Sequence, residues 1–436
     1  MRRAAGVLLH PSSLPGPFGI GDVGPEATTF VDWLAQAGQT YWQMLPLGPV
    51  ADSGSPYDSY SAFAGNTLLV APRLLESEGL LGGPVEGSFD RGSVDFAAVR
   101  SFKASLLRNA WRRFEAQRPI EVGLRFEAFC DDPDVREWLD DWTLFAALKD
   151  HLAESPWQRW PKSLRARDDG AMASARRDLA AEIGFHRFSQ FVFFDQLSAL
   201  RQAANAQGVR LMGDLAIYVA SDSVDVWAAQ DIFDLDPTGK PRVVAGVPPD
   251  YFSATGQRWG NPLYRWDRLE AGGFDWWTRR LRWCMRQADV VRLDHFRGFA
   301  ACWEIPTTER TAIKGRWRPG PGVALFETAK RQLGELPLVA EDLGVITSDV
   351  TDLRKAVGIP GMRVLQFAFA EPSSDHLPHR VPPDTVVYTG THDNNTARGW
   401  FEAAPEGERQ RALDYLGTTP DEIPWGLTRA AFTSVA

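Results

Sequence analysis

Seven short apolar runs, each ending in a polar or glycine-rich cluster, constrain the fold of this 436-residue chain more than any other feature. Apolar runs of about four to eight residues are typical of parallel strands that are buried on both faces. Helical patterns lie between them, as at Pro25–Ala37 and Phe188–Gln202. Strands that alternate with helices and end in polar residues predict an α/β fold of the (β/α)8 TIM-barrel type. The seven runs are Gly6–Ser13, Tyr41–Pro49, Val209–Val219, Val290–Gly298, Leu336–Gly344, Gly361–Phe369 and Thr385–Asn394.

Two spacings between the runs are too long for plain βα units. Residues 51–205 contain amphipathic helical patterns at Phe102–Phe114 and Glu137–Leu152, so we expect a mostly helical insertion subdomain between strands 2 and 3. Residues 221–283 form a second expected insertion, with a glycine- and aromatic-rich loop at 246–264. We expect the catalytic barrel to extend over residues 1–436, with its eighth strand unit missing from this chain.

Composition excludes several classes of partner. Acidic residues outnumber basic ones by 56 to 47, for a net charge of −9, which argues against a nucleic-acid partner. No run reaches the ~18 apolar residues of a membrane span, so we expect no membrane partner. Cys130, Cys284 and Cys302 form no CxxC pair, and His376 and His379 have no further metal ligands nearby in sequence. We therefore expect a cytoplasmic protein without a metal or cofactor.

Charged residues stand where several of the apolar runs end. Arg292 and Asp294 are two positions apart in a strand, so they point to the same side, and the arginine favours the ionised carboxylate that a nucleophile needs. Asp214, Glu341 and Asp393 end other runs. Four neighbouring carboxylates repel one another, so one of them is expected to keep its proton near neutral pH. An ionised carboxylate beside a protonated one is the pair that retaining glycoside chemistry uses.

Longer motifs around these residues carry a family resemblance over nearly the whole chain. The sequence resembles the 4-α-glucanotransferases, also called amylomaltases or disproportionating enzymes, of the α-amylase superfamily. Position 216 is alanine where that family usually has proline. The matching motifs are SPYDSYSAFAGN (Ser55–Asn66), GDLAIYVASDSVDVW (Gly213–Trp227), GVPPDYFSATGQRWGNPLY (Gly246–Tyr264), RLDHFRG (Arg292–Gly298), AEDLG (Ala340–Gly344) and THDNNT (Thr391–Thr396).

The resemblance implies a role for each matching site residue. Asp294 is implied to be the nucleophile that forms a β-glucosyl-enzyme, and Glu341 the general acid/base. Asp393 is implied to hold the 2- and 3-hydroxyls of the distorted sugar. The other residues implied to bind substrate around the scissile bond and in the donor site are Tyr57, Asp214, Asn261, Arg292, His295 and His392.

The same resemblance implies that the loop at 246–264 overhangs the cleft, where Tyr251, Phe252 and Trp259 stack on the acceptor. Binding energy there and exclusion of water would favour a sugar hydroxyl as the attacking group. The expected activity is transfer of α-1,4-glucan segments between maltooligosaccharides, starch or glycogen by a monomer, with glucose as an acceptor and linear or cyclic products. The alternatives are an α-glucan hydrolase, which would form no product longer than its substrate, and an inactive glucan-binding fragment that lacks the eighth unit.

Overall fold

The computed structural model describes residues 3–90, 92–249 and 253–436, and a strand lies inside each of the seven apolar runs. Tyr251 and Phe252 lie outside the described residues. The strands of the described ranges, numbered along the chain, are β1 (Gly6–Leu8), β2 (Tyr41–Gln43), β3 (Arg210–Leu215), β4 (Val243–Val247), β5 (Gln257–Pro262), β6 (Val290–Leu293), β7 (Ala301–Pro306), β8 (Arg316–Pro319), β9 (Leu338–Ala340), β10 (Gly361–Val364) and β11 (Thr385–Tyr388).

The parallel strands follow one another around an α/β barrel. One sheet has the order β1-β2-β3-β6-β9, and β10 pairs with β11; every one of these pairs is parallel. The Ala340 N–H donates to Pro360 O over 2.8 Å, which links the end of β9 to the segment before β10. The predicted barrel-type α/β fold is therefore confirmed. Within the described residues, no parallel strand follows β11.

The helices of the described residues surround these strands. Pro25 opens the first helix, and the side chains of Asp95 and Asp132 cap the third and the fifth. None of the helices in these ranges is long and apolar enough to cross a bilayer. The helices are α1 (Pro25–Gln36), α2 (Pro72–Ser77), α3 (Phe96–Gln117), α4 (Ile120–Asp131), α5 (Pro133–His151), α6 (Lys162–Arg165), α7 (Asp169–Asp178), α8 (Ala180–Ala206), α9 (Val224–Ala228), α10 (Trp266–Ala271), α11 (Asp275–Gln287), α12 (Arg297–Ala300), α13 (Val323–Leu333), α14 (Ser348–Val357), α15 (Ala397–Ala403), α16 (Glu406–Leu416) and α17 (Ile423–Thr433).

Tryptophan fills much of the packed interior. Trp157, Trp227 and Trp277 are fully buried in a core that joins α5, α9 and α11 to the barrel. Trp276 is also buried, and its ring packs against that of Trp277 with centroids 5.7 Å apart. A second core lies between α1, α3 and α8, with Phe188 at its centre. Helix α8 packs against β3 and against α5, and α5 also packs against α9, which follows β3. These helices therefore support the loop between β3 and α9.

Four strands form an antiparallel sheet that the sequence reading missed. The order is β5-β4-β7-β8. The region 221–283, expected to be an insertion with a loop at 246–264, contains β4 and β5 as well as α9 and α10. The sequence of β5, Gln257–Pro262, has no apolar run, and its first three residues are exposed. Its strand conformation comes from pairing with β4, which only the folded chain provides.

Candidate active site

Strand register brings the charged residues of three neighbouring strands together. Asp214 of β3 lies opposite Arg292 of β6. Leu293 of β6 pairs with Ala340 of β9, so the next residues, Asp294 and Glu341, leave adjacent strands at the same level. Parallel neighbours are about 4.8 Å apart. The carboxyl ends of β3, β6 and β9 therefore form one cluster at the face of the barrel where such enzymes place their chemistry.

Arg292 is the buried cation of this cluster. Its Nη1 lies 2.9 Å from Asp294 Oδ1 and 2.7 Å from Asp214 Oδ2, and its side chain is only 3% exposed. Burial alone would lower the pKa of Arg292, but the charges of Asp214, Asp294 and Glu341 outweigh burial and raise this pKa well above its ordinary value. One arginine thus forms ion pairs with two aspartates, and the predicted pairing of Arg292 with Asp294 is present.

Glu341 is held by two backbone donors and keeps its proton at neutral pH. The His295 N–H donates to Oε2 over 2.8 Å, and the Leu343 N–H donates to Oε1 over 2.9 Å. Loss of surrounding water, and then the charge of Asp294, raise the pKa of Glu341 to about 8, against the opposing effects of Arg292 and the two N–H groups. Burial also raises the pKa of Asp214, but Tyr57 and Arg292 occupy its oxygens, so Glu341 is the strand-end carboxyl that is placed to act as an acid.

Tyr57 closes one side of the cluster. Its hydroxyl donates to Asp214 Oδ2 over 2.7 Å, and its ring stacks on His392 with centroids 5.1 Å apart. Burial and the charge of Asp214 raise the pKa of Tyr57 well above its ordinary value, so the hydroxyl remains a donor. The pair of Tyr57 and His392 gives the site an aromatic wall, and its edge can pack against a sugar ring.

His295 follows Asp294 in an uncommon backbone conformation. Its φ angle is +48°, a left-handed value that costs a non-glycine residue energy, and this turn directs its N–H to Glu341. Burial lowers the pKa of its imidazole to about 4, so the ring is neutral at pH 7. The ring of Trp259, which is 39% exposed, meets His295 edge-on with centroids 4.8 Å apart. This places Trp259 at the mouth of the cluster.

Two predicted residues make their contacts outside the ion pairs of Arg292, namely Asp393 with His392 and Asn261 with Val219. Asp393 is exposed at 73%, and its Oδ1 lies 3.4 Å from Nε2 of His392. It thus joins the cluster through His392 rather than through Arg292. The Asn261 side-chain amide donates to Val219 O over 2.9 Å, so it fastens β5 to the loop that follows β3.

Two residues that the sequence reading did not select also shape the site. Arg280, buried on α11, donates to Ala216 O over 2.6 Å and to Ile217 O over 3.1 Å, and so holds the chain just after Asp214. It also lines a cavity of about 80 Å³ beside Asp214. Tyr218, in the same loop, places its ring 6.2 Å from that of His295. Only the position of Tyr218 inside a matching motif marks it in sequence, and nothing marks Arg280.

One group of side chains in the described residues has the spacing of a metal site. It consists of Asp150, Glu182 and His186 on α5 and α8, away from the strand ends. Arg108 already pairs with both carboxylates, at 3.3 Å from Asp150 and 2.8 Å from Glu182, and His186 lies 3.0 Å from Asp150. The group is therefore an ion-pair network between helices, which neutralises the acidic charge.

An α/β barrel with an arginine-paired aspartate and a protonated glutamate at adjacent strand ends has the arrangement of enzymes that act on glycosidic bonds. The chain belongs to the 4-alpha-glucanotransferase family, whose sequence profile matches residues 9–436. The activity predicted from the sequence, 4-α-glucan transfer, is confirmed by this membership.

Close relatives match the whole chain. It is 48% identical to a 4-alpha-glucanotransferase of Thermus thermophilus, over 100% of this chain and 88% of the relative. It is 43% identical to the chloroplastic/amyloplastic 4-alpha-glucanotransferase of Solanum tuberosum, over 100% of this chain and 77% of the relative. Among solved structures, an amylomaltase from Streptococcus agalactiae in complex with acarbose superposes with a TM-score of 0.95 at 37% identity, over 100% of this chain and 88% of that one.

Proposed function

We propose that this chain moves α-1,4-glucan segments between maltooligosaccharides by retaining double displacement, with Asp294 as nucleophile and Glu341 as acid/base. The observation that carries this proposal is the register of β6 and β9, which sets the two carboxyl groups level on adjacent strands. The spacing of about 4.8 Å between neighbouring parallel strands suits the separation of about 5 Å that the two carboxyl groups of retaining enzymes need. The amylomaltase structure named above holds acarbose, which supports an oligosaccharide as substrate.

In the first step the Asp294 carboxylate attacks the anomeric carbon of the donor. The bond from that carbon to the leaving oxygen breaks, and its electron pair goes to the oxygen, which takes the Glu341 proton. Arg292 holds the Asp294 carboxylate by an ion pair of 2.9 Å during the attack. The pKa of Glu341, about 8, keeps the proton available at neutral pH. The products are a glycosyl-Asp294 ester and a shortened glucan.

In the second step the roles reverse. Glu341, now ionised, takes the proton of an acceptor hydroxyl, whose oxygen attacks the anomeric carbon and releases Asp294. Two inversions leave the α configuration unchanged. Transfer rather than hydrolysis requires an acceptor sugar to hold this position in place of water. Trp259 at the mouth of the cluster supplies an apolar face for that sugar, and we assign Tyr251 and Phe252 to the same acceptor side.

The remaining polar residues orient the donor sugar. We assign Asp393 and His392 to the ring hydroxyls, because they lie on the open side of the cluster next to Tyr57. His295 is neutral and its buried Nε2 has no hydrogen-bond partner among the described residues, so it can bind a sugar hydroxyl without adding charge. Asp214 acts indirectly, because it fixes Arg292 and Tyr57, and Asn261 acts indirectly, because it fixes the loop after β3. The residues that we assign to direct substrate binding are Tyr57, His295, His392 and Asp393.

For organisation and setting, we propose a catalytic barrel with two insertions, at residues 51–205 and 221–283. The positions of α2–α8 between β2 and β3, and of β4, β5 and α10 between β3 and β6, support this division. We further propose that the enzyme works as a monomer in the cytoplasm, with glucose as its smallest acceptor. The reduced state of Cys130, Cys284 and Cys302 agrees with such a compartment.

Incubation of the purified chain with maltotriose tests the proposal. Glucose together with maltopentaose and longer chains is the expected result, because transfer lengthens one molecule as it shortens another. Glucose and maltose alone would mean hydrolysis, and unchanged maltotriose would overturn the assignment. Asp294→Asn should abolish turnover while the circular dichroism spectrum stays the same. Asp352→Asn, at an exposed aspartate of α14, is the matched control and should keep full activity.

A further inference from the structure

Arg297, three residues after Asp294, is a buried arginine that contacts the loop following Glu341. It begins α12 and is only 7% exposed. Its Nη1 donates to Val345 O over 2.7 Å and to Thr347 Oγ1 over 2.9 Å. Its guanidinium carbon lies 3.9 Å from the centre of the Trp317 ring on β8. The guanidinium is therefore fixed between the antiparallel sheet and residues 345–347.

Three consecutive residues after the nucleophile hold the segment 341–347 at both ends. The His295 N–H donates to Glu341 Oε2, the Phe296 N–H donates to Glu341 O over 3.1 Å, and Arg297 holds the far end. Between these points the chain turns at Gly344, with φ of +84°, and its apex at Val345 is 48% exposed. An exposed turn of this kind keeps one conformation only if its ends are fixed.

The segment also supplies one of the two backbone N–H groups that donate to the Glu341 carboxyl. The Leu343 N–H that donates to Oε1 lies inside 341–347. If the far end of the segment were released, that N–H would move and the carboxyl would lose one of its two backbone donors. The position of the Glu341 carboxyl thus depends on the Arg297 side chain. That side chain packs against Trp317 and binds Val345 and Thr347, and none of these contacts is to the reacting carboxylates.

We propose that Arg297 is a positioning residue for Glu341: it holds the segment 341–347 so that the Glu341 carboxyl meets the leaving oxygen. This inference rests on the proposed role of Glu341 as acid/base. Trp317 on the antiparallel sheet contributes to this positioning because its ring fixes the Arg297 guanidinium.

A positioning role predicts a dependence on the leaving group. A departing sugar oxygen needs the Glu341 proton, whereas fluoride leaves an anomeric carbon without one. With α-maltotriosyl fluoride, the carbon–fluorine bond breaks, its electron pair leaves as fluoride, and the Asp294 oxygen takes its place on carbon. The first turnover of this donor therefore does not use the acid, and it reports on the nucleophile and the fold alone.

The experiment compares Arg297→Gln with the parent on both donors. We expect kcat/KM for maltotriose to fall about 100-fold, as for a misplaced catalytic group, while the first-turnover rate of fluoride release stays close to that of the parent. An equal fall with both donors, or no fall with maltotriose, would overturn the inference. Arg297→Lys, which keeps the charge but not the planar fork, should show a smaller loss confined to maltotriose.

Two further variants make the result decisive. Arg318 follows Trp317 on β8 and forms ion pairs with Asp234 at 3.0 Å and Glu304 at 3.4 Å. Arg318→Gln removes these ion pairs and should leave both rates unchanged. Glu341→Gln sets the benchmark, a loss confined to maltotriose. If Glu341→Gln lacks this split, the proposed acid/base is wrong. If it shows the split and Arg297→Gln does not, only the role of Arg297 is refuted.

Discussion

Replacement of Glu341 by glutamine should make the protein increasingly stable, relative to the parent, as the pH rises. In the unfolded chain this carboxyl ionises around its ordinary pKa of 4.5, whereas in the folded chain the pKa is about 8, chiefly because the carboxyl has lost surrounding water. The stability that the protonated form contributes is therefore fully present below pH 4.5 and is lost as the pH rises toward 8. The glutamine variant has no such loss, because it cannot ionise.

The magnitude follows from the two pKa values. Between pH 5 and pH 7 the unfolded chain releases the proton and the folded chain keeps it, at about 1.4 kcal/mol per pH unit. The free energy of unfolding of Glu341→Gln, relative to the parent, should therefore rise by roughly 2 to 3 kcal/mol between these two pH values. Glutamine also loses an acceptor for one of the two N–H groups, at His295 or Leu343, but that loss is the same at each pH and cancels in the difference.

Urea unfolding of both proteins at pH 5, 6 and 7 measures this difference. Glu335→Gln, at an exposed glutamate shortly before β9, is the matched control and should follow the parent at every pH. A constant difference between Glu341→Gln and the parent would refute the reasoning, because it would mean that Glu341 titrates alike in the folded and unfolded chains. The protonated acid that the mechanism requires would then be absent.

Three further predictions concern the same site and one buried ion pair. Transfer activity should decline as the pH rises through about 8, where Glu341 loses its proton, and a pH profile of kcat/KM measures this. Tyr57→Phe leaves Asp214 without one donor, so kcat/KM for maltotriose should fall about 10- to 100-fold with the fold intact by circular dichroism; an unchanged value would exclude Tyr57 from the site. Lys103→Met strands the buried carboxyl of Asp22, 3.9 Å away, and should cost about 3–5 kcal/mol in urea unfolding, whereas adding Asp22→Asn should recover part of it.

The barrel strands could be predicted from the sequence because a strand that is buried on both faces needs a short run of apolar residues. Each of the seven runs contains its strand, although the strands are shorter, since the polar ends of the runs leave the sheet to form the site. The edge strand β5 of the antiparallel sheet has no such apolar run. Trp259 and its neighbours on β5 are exposed, and their strand conformation depends on pairing with β4. A pattern of apolar residues cannot reveal a strand that is held by its partner and has exposed side chains.

The site was predictable to the extent that it is local in sequence. Alternation along one strand correctly placed Arg292 beside Asp294. The contact between Tyr57 and Asp214 joins residues 157 positions apart, and Arg280 on α11 donates to a backbone carbonyl of the loop after β3. Both contacts depend on packing between distant segments, which has no pattern in sequence. The structure also leaves the Asp393 side chain exposed and pairs it with His392, which the spacing of strand ends alone did not indicate.

The central claim is that transfer passes through a covalent bond to Asp294, and mass spectrometry tests it directly. Glu341→Gln incubated with α-maltotriosyl fluoride should accumulate the glycosyl-enzyme, because fluoride leaves without an acid and no base remains to activate an acceptor. After proteolysis, the account predicts a maltotriosyl group on the peptide that contains Asp294, absent when Asp294→Asn is added. An adduct on a different residue, or fluoride release with no adduct and a product of inverted configuration, would contradict it.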